Sequence, residues 1–210
     1  MKIAIIGASA GVGIETVKRA LDRKHEVTTL SRSEIQLPSN PNLKSIIGSA
    51  LNKADFQKTI ENADSILITL GTGTNLKATT LYSDFAKLLI ELHQESKFKI
   101  PIIIVTGFGA GESGKFHKNF IMKLFFRLLL IDIYTNKTIM EEMISKTDIK
   151  WEIVRPGVLT NGPLTEKYRI ENQLFKGMNI GKISRADVGD FIVKQAENPN
   201  ELGKFPALSY

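Results

Sequence analysis

The sequence predicts a doubly wound α/β domain, a parallel sheet with helices on both faces, over residues 1–210. Three observations predict it. Strand and helix patterns alternate along the whole chain, with no linker and no internal repeat. The first strand empties into a glycine-rich turn that opens a helix, the place where such a fold seats a nucleotide pyrophosphate. Ile100–Val105 is nearly all apolar and rich in isoleucine, as expected of a central parallel strand buried on both faces.

Taken in order, Ile3–Ile6 is the first strand and Gly7-Ala-Ser-Ala-Gly-Val-Gly13 the turn. Gly7 supplies the tight bend, Gly11 lets backbone approach a phosphate, and Gly13 lets the helix pack on its strand. Val12, Val17, Ala20 and Leu21 follow at helical spacing. The plainer alternative is a turn that only shapes a corner.

His25–Leu30 reads as the second strand. An NAD site would carry an acidic residue at its end to bind the ribose 2′-hydroxyl. Here Arg32 stands there between Ser31 and Ser33, and a guanidinium pairs with a 2′-phosphate. That favours NADP(H) over NAD(H), against the competing reading of a surface arginine beside Glu34.

Residues 34–43 form a loop, Leu43–Ile47 a third strand ending in Gly48-Ser-Ala-Leu51, and residues 53–61 a polar helix. Ala63–Leu70 is the fourth strand, opening into Gly71-Thr-Gly-Thr74, the small mouth at a strand's carboxyl end where a doubly wound sheet holds its ligand. Leu81, Phe85, Leu88, Leu89 and Leu92 turn one face of helix 78–96 to the sheet. The fifth strand ends in the glycine-rich loop Thr106–Gly114.

In 115–131, Lys115, Asn119, Lys123 and Arg127 make a narrow polar stripe on an otherwise apolar helix. Such a helix needs cover, from the fold or a substrate pocket, from a second subunit of a homo-oligomer, or from a membrane surface. A further helix, 134–146, offers Ile139, Met140, Met143 and Ile144 for burial. Trp151–Gly157 is a sixth strand stopped by Pro156, and 157–182 is loop-rich, with the character of a lid. Ser184 and Asp187 have capping-box spacing ahead of Val188, Phe191 and Ile192, and 203–210 adds an edge strand. Loops 108–118 and 160–182 face the substrate.

Composition narrows the function. The apolar fraction of 42% and charged fraction of 24% are those of a globular protein. With no cysteine, disulfides, thiolate catalysis and cysteine-ligated zinc are excluded, and His25, His93 and His117 lack metal-ligand spacing, so no metal is expected. The amino terminus enters a strand directly and no stretch approaches the ~20 apolar residues of a membrane span, which points to the cytoplasm. The net charge of +6 is spread along the chain without RNA-reading aromatics, so a solvated basic surface is favoured over specific nucleic-acid binding.

Several blocks together resemble one family. They are the Gly7–Gly13 turn, Arg32, Lys137 with Glu141, Ile153-Val-Arg-Pro-Gly157 with Leu159-Thr160, and Ser184-Arg-Ala-Asp-Val188. The chain resembles the atypical short-chain dehydrogenase/reductases. The nearest branch is the NAD(P)H-binding, NmrA-like one that includes flavin reductase/biliverdin-IXβ reductase. The resemblance implies a Rossmann fold of about seven parallel strands, ordered 3-2-1-4-5-6-7, with NADPH along their carboxyl ends. Gly7, Ser9, Ala10, Gly11, Val12 and Gly13 would hold the pyrophosphate and Arg32 the 2′-phosphate. Ser49, Ala50 and Leu51 would flank adenine, and Leu70, Gly71 and Thr72 the adenosine and ribose. Thr106 and Lys137 would reach toward the nicotinamide ribose, with Pro156, Gly157 and Val158 over the ring.

Two departures limit the transfer. The turn reads G-x-x-x-G-x-G, as in the superfamily's main branch, where the atypical branch has G-x-x-G-x-x-G. Gly107 stands where the main branch has a serine, and Tyr134 is three residues before Lys137 instead of four, so tyrosine acid catalysis does not carry over. The leading expectation is an NADPH-dependent oxidoreductase that passes hydride to a flavin, quinone or similar small acceptor. Thr106 and Lys137 are its catalytic candidates; ending a strand, and pairing with Glu141 across a helical turn, are their structural alternatives. The competing class is a non-catalytic NADP(H) sensor of NmrA-like type that engages a partner through the 115–131 helix.

Overall fold

The computed structural model describes every residue except 74, 76, 117–129, 176, 177 and 179. The expected apolar helix at 115–131 therefore lies almost entirely outside the described residues. Ten strands are formed: β1 (Lys2–Ile6), β2 (Glu26–Ser31), β3 (Leu43–Ile47), β4 (Ser65–Ile68), β5 (Ile102–Val105), β6 (Trp151–Pro156), β7 (Val158–Thr160), β8 (Arg169–Glu171), β9 (Lys182–Ser184) and β10 (Ala207–Ser209). Five α-helices are described: α1 (Gly11–Asp22), α2 (Lys53–Ile60), α3 (Leu81–Ser96), α4 (Ile131–Ser145) and α5 (Arg185–Glu197).

The main sheet has eight strands in the order β3-β2-β1-β4-β5-β6-β10-β8. All pairs are parallel except β10 with β8. The expected order holds through the seventh strand. Alternation along the strands builds two cores. Ile3, Ile5, Leu67 and Ile103 face α1 and α5, while Ala4, Ile6, Ile66 and Ile104 face α2, α3 and α4. Among the described residues no helix is long and apolar enough to cross a membrane.

Three details differ from the sequence reading. The tail strand β10 is interior, because Arg169–Glu171 leaves the supposed loop and pairs with it as the true edge (Leu208 opposite Ile170). The rest of 157–182 is likewise partly ordered, since β7 and β9 form their own two-stranded sheet. Pro156 is the last residue of β6, as the sequence predicts: the strand loses a donor there, but the Pro156 carbonyl still accepts from Phe108 N at 2.8 Å. On α3 the buried face includes Tyr82, Ala86 and His93, whereas Leu81 and Leu88 are only half-buried.

Candidate functional site

Because β1 to β6 are mutually parallel, their carboxyl ends all open on one edge of the sheet, with the order reversing between β1 and β4. That is the switch point where a crevice forms. The Gly7–Gly13 turn lies in it. Gly7 has φ +86°, its N–H donates to Leu30 O at 2.8 Å, and a β-carbon there would sit 2.8 Å from Thr69 O. At Gly13 a β-carbon would meet the Gly7 carbonyl and Thr69 Oγ1. Thr69 itself donates to Ile6 O at 2.9 Å, so the end of β4 holds the turn from below.

The helix starts are not treated alike. Asn52 caps α2 and Ser184 caps α5 with side-chain oxygens. For α3 the acceptor comes from α4: Asn136 Oδ1 takes the N–H groups of Tyr82 (2.9 Å) and Ser83 (3.1 Å). At α1 the cap residue is Ala10, no side chain caps it, and the first turn holds no acid. Its open N–H groups and partial positive charge suit an anion. Arg185 Nε lies 3.9 Å from where a Gly11 β-carbon would be, and its Nη1 donates to Asn161 Oδ1 at 2.8 Å. Gly11, Ile14, Glu15, Asn161, Gly162, Arg185 and Ala186 line a cavity of about 430 Å³. Sequence reading missed Arg185 and Asn161. Their only signal was the Ser184-Arg-Ala-Asp block, and nothing local tells that α5 starts beside α1.

Toward β2 and β3, Arg32 is exposed and makes no ion pair among the described residues. Ser31 Oγ donates to Ser33 O (2.7 Å), and Gly48 N–H to Ser31 O (2.9 Å), which ties the two strand ends together. Ser49 N–H donates to Asp55 Oδ2 (3.0 Å), and Ser49 Oγ accepts from Leu51 N–H (3.2 Å). Ala50 is buried and Leu51 43% exposed, an apolar shelf open to a planar ligand. Across the crevice Leu70 and Thr72 are half-buried and Gly71 is exposed. On the far side Pro156, Gly157 and Val158 continue the edge, with Gly157 N–H on Leu208 O (2.9 Å) and Val158 exposed.

The end of β5 meets α4 in a tight polar cluster. Thr106 is buried and donates its hydroxyl to Glu141 Oε1 at 2.7 Å, so this proton does not face the crevice. Glu141 is buried too and pairs with Arg155 (Nη2–Oε2 2.6 Å, Nε–Oε1 3.3 Å), whose guanidinium lies 4.2 Å from the Phe205 ring centre. Lys137 is not Glu141's ion-pair partner. Its Nζ donates to the Thr106 carbonyl at 2.7 Å and lies over two rings, 5.3 Å from the centre of Tyr82 and 5.0 Å from that of Tyr134. Burial draws the Lys137 pKa down to about 8, with Glu141 opposing. Burial also pushes both phenols up to about 12; Thr72 hydrogen-bonds Tyr82, and Tyr82 and Glu141 add to the rise at Tyr134. The Tyr134 hydroxyl sits 2.7 Å from where a Gly107 β-carbon would be.

The nominated residues thus share one edge, from Arg32 to Val158, with the glycine turn between them. Residues 7–199 match the family model described as NAD(P)H-binding. The chain belongs to the NAD(P)H-binding family. Solved structures share the fold of this NAD(P)H-binding protein over its whole length. A wide-type short-chain dehydrogenase/reductase of Veillonella parvula, in complex with NADP, is 17% identical and 94% covered, with a TM-score of 0.79. An anaerobillin reductase of Escherichia coli O157:H7 is 21% identical and 97% covered, at 0.77. A Streptococcus pneumoniae protein provisionally named an NADH-flavin reductase is 21% identical and 99% covered, at 0.78. At these identities the likeness is one of fold.

Proposed function

We propose that this NAD(P)H-binding protein is an NADPH-dependent reductase that passes hydride to a flavin, a quinone or a similar small acceptor. What carries the reading is the uncapped start of α1 at the switch point, on the same edge as Arg32 at one end and the Lys137 cluster at the other. The residues fit the dinucleotide. Backbone N–H groups of Gly11, Val12 and Gly13, with Ser9 and Ala10 ahead of them, hold the pyrophosphate, and Arg185 adds a cation beside them. Arg32 and its flanking serines take the 2′-phosphate. Ser49, Ala50 and Leu51 flank adenine, and Leu70, Gly71 and Thr72 border the ribose.

When bound, the cofactor supplies a hydride at its nicotinamide. Lys137, held on the Thr106 carbonyl, anchors the nicotinamide ribose, while Pro156, Gly157 and Val158 cover the ring and keep water off it. Thr106 supports this end through its carbonyl and its bond to Glu141. Holding donor and acceptor face to face is the main catalytic contribution. The test follows NADPH oxidation with riboflavin, FMN and a simple quinone. Turnover above a buffer blank for at least one is expected, and none above it defeats the reductase reading.

A further inference from the structure

We propose that Asn161 is a self-modification site: attack by the Gly162 backbone nitrogen turns its amide into a carboxylate, and the new charge neutralises Arg185 beside the glycine-rich turn and loosens the hold on the dinucleotide. The effect on the cofactor rests on the proposed function; the chemistry at Asn161 does not.

Asn161-Gly162 is the one Asn-Gly pair in the chain, and no Asp-Gly pair occurs. Asparagine is thermally labile because its side chain lies within reach of the backbone N–H that follows it. A following glycine has no β-carbon to hinder that approach and the widest backbone freedom to make it. The structure leaves the approach open. Asn161 is exposed, and residues 161–164, just past β7, donate no backbone hydrogen bond among the described residues. The Gly162 nitrogen is therefore held by no acceptor there. The Asn161 amide oxygen accepts from Arg185 Nη1 at 2.8 Å. A guanidinium in that place draws electrons from the amide carbon and stabilises the oxyanion that forms on it, as the donors of an oxyanion hole do.

In the step, the Gly162 nitrogen gives up its proton and forms a bond to Asn161 Cγ. The Cγ–Nδ2 bond breaks, and the nitrogen leaves as ammonia with that proton, which closes a cyclic imide. Water then opens the ring at either carbonyl and gives aspartate or isoaspartate at 161. No electron is gained or lost, and water is the only co-reactant. Either product puts a carboxylate where a neutral amide stood. The charges lining this cavity are Arg185 and Glu15, one of each sign, and Glu15 is engaged by Lys18 at 2.7 Å. A carboxylate at 161 tips the cavity to negative and pairs with the guanidinium beside Gly11, at the uncapped start of α1. An incoming pyrophosphate then meets repulsion where it met a cation. The change acts at the pyrophosphate and not at the 2′-phosphate, so NADPH and NADH lose affinity alike.

The experiment stores the protein in warm, mildly alkaline buffer and follows two readouts. One is the mass of the peptide that holds residue 161; the other is the Kd for NADPH and NADH by fluorescence. The mass gain of an amide-to-acid exchange should appear at 161 sooner than at any other asparagine. Gly162→Ala should slow it about tenfold, since a β-carbon restricts the attacking nitrogen. That variant keeps the fold, because the atom nearest its β-carbon is Ser184 Cβ at 3.5 Å. Fresh Asn161→Asp should bind both cofactors about tenfold more weakly than fresh parent, the lower end for a lost hydrogen bond to a charged group. Stored parent should approach that value as its mass shifts, while Gly162→Ala keeps its own starting affinity. An amide at 161 that stays intact while other asparagines react overturns the proposal, and so does Asn161→Asp that binds as the parent does. A fresh parent that binds neither dinucleotide defeats the cofactor reading instead. Inorganic pyrophosphate, titrated into parent and Asn161→Asp, then decides whether residue 161 guards an anion site.

Discussion

Arg32 is the residue on which the proposed choice of NADPH turns. It is exposed, unpaired among the described residues, and flanked by hydroxyls at the end of β2. Arg32→Ala should weaken NADPH binding by about 1.5–3 kcal/mol, the range for hydrogen bonds to charged groups, and leave NADH nearly untouched. Isothermal titration with both cofactors checks this, and equal losses refute the 2′-phosphate role. The exposed place of Arg32 just past β2 was legible in the sequence, because a β-branched run and a charge after it suffice to find it. The neighbourhood of Tyr134 was not legible, because no spacing along the chain announces it. Only the helix, where three and four residues bring side chains to the same face, puts its hydroxyl at Gly107. Thr106 is the converse case. Its position at the end of β5 was read correctly, but its hydroxyl turns inward to Glu141.

Between elements, the buried Glu141–Arg155 pair fastens α4 to β6 and, through Thr106, to the end of β5. Breaking a buried ion pair on one side strands the other charge, so Arg155→Met should lower unfolding free energy by about 3–5 kcal/mol in urea titration. A loss below 1 kcal/mol would mean that the pair contributes little to holding the site. The α5 start shows how far a local motif reads. Ser184 Oγ does accept from Asp187 N–H at 3.0 Å, as the spacing predicts. The reciprocal half is missing, because Asp187 instead accepts from Thr165 N–H, Thr165 Oγ1, Glu166 N–H and Tyr210 Oη. Burial alone would raise the Asp187 pKa, but the bonds from Tyr210 and Thr165 outweigh it and hold it below the ordinary value. The stability from this carboxylate is therefore present above the unfolded-state pKa and is lost as pH falls through the lower folded one. Asp187→Asn should flatten that acid limb in thermal unfolding across pH 2–5, about the range in which carboxylates titrate.

At the scale of the whole molecule, β6 carries one anomaly. Glu152 is fully buried, and neither carboxylate oxygen has a partner among the described residues. Burial, with Glu201 adding and Lys204 opposing, pushes its pKa up to about 8. The folded state then holds a proton that the unfolded chain has released, so stability declines as pH rises from the unfolded value toward 8 and stays low beyond it. Glu152→Met should be more stable than the parent at pH 9 by about 1–3 kcal/mol, the usual cost of an unsatisfied buried polar group. A variant no more stable there rejects the account. The parallel sheet and its helical layers were legible because apolar runs and glycine punctuation repeat with each unit, while the strand order came only with the family resemblance. The edge was not, since β8 has only three residues and no apolar pattern to announce its pairing with β10.

That placement of β10 bears on how the molecule comes into being. Sheet order follows chain order up to β6 and then breaks, because β10 is inserted between β6 and β8, which precede it. As the chain emerges during synthesis, β1 to β6 can pair with neighbours already present, while the outer edge of β6 stays bare until residues 207–209 arrive. Tyr210 then hydrogen-bonds Ser184 N–H and Asp187, fixing the start of α5 beside the start of α1. The edge of the sheet beyond β6 thus waits for a segment that comes after all the other described strands. A ligand that contacts the start of α5 meets it in its finished form only then.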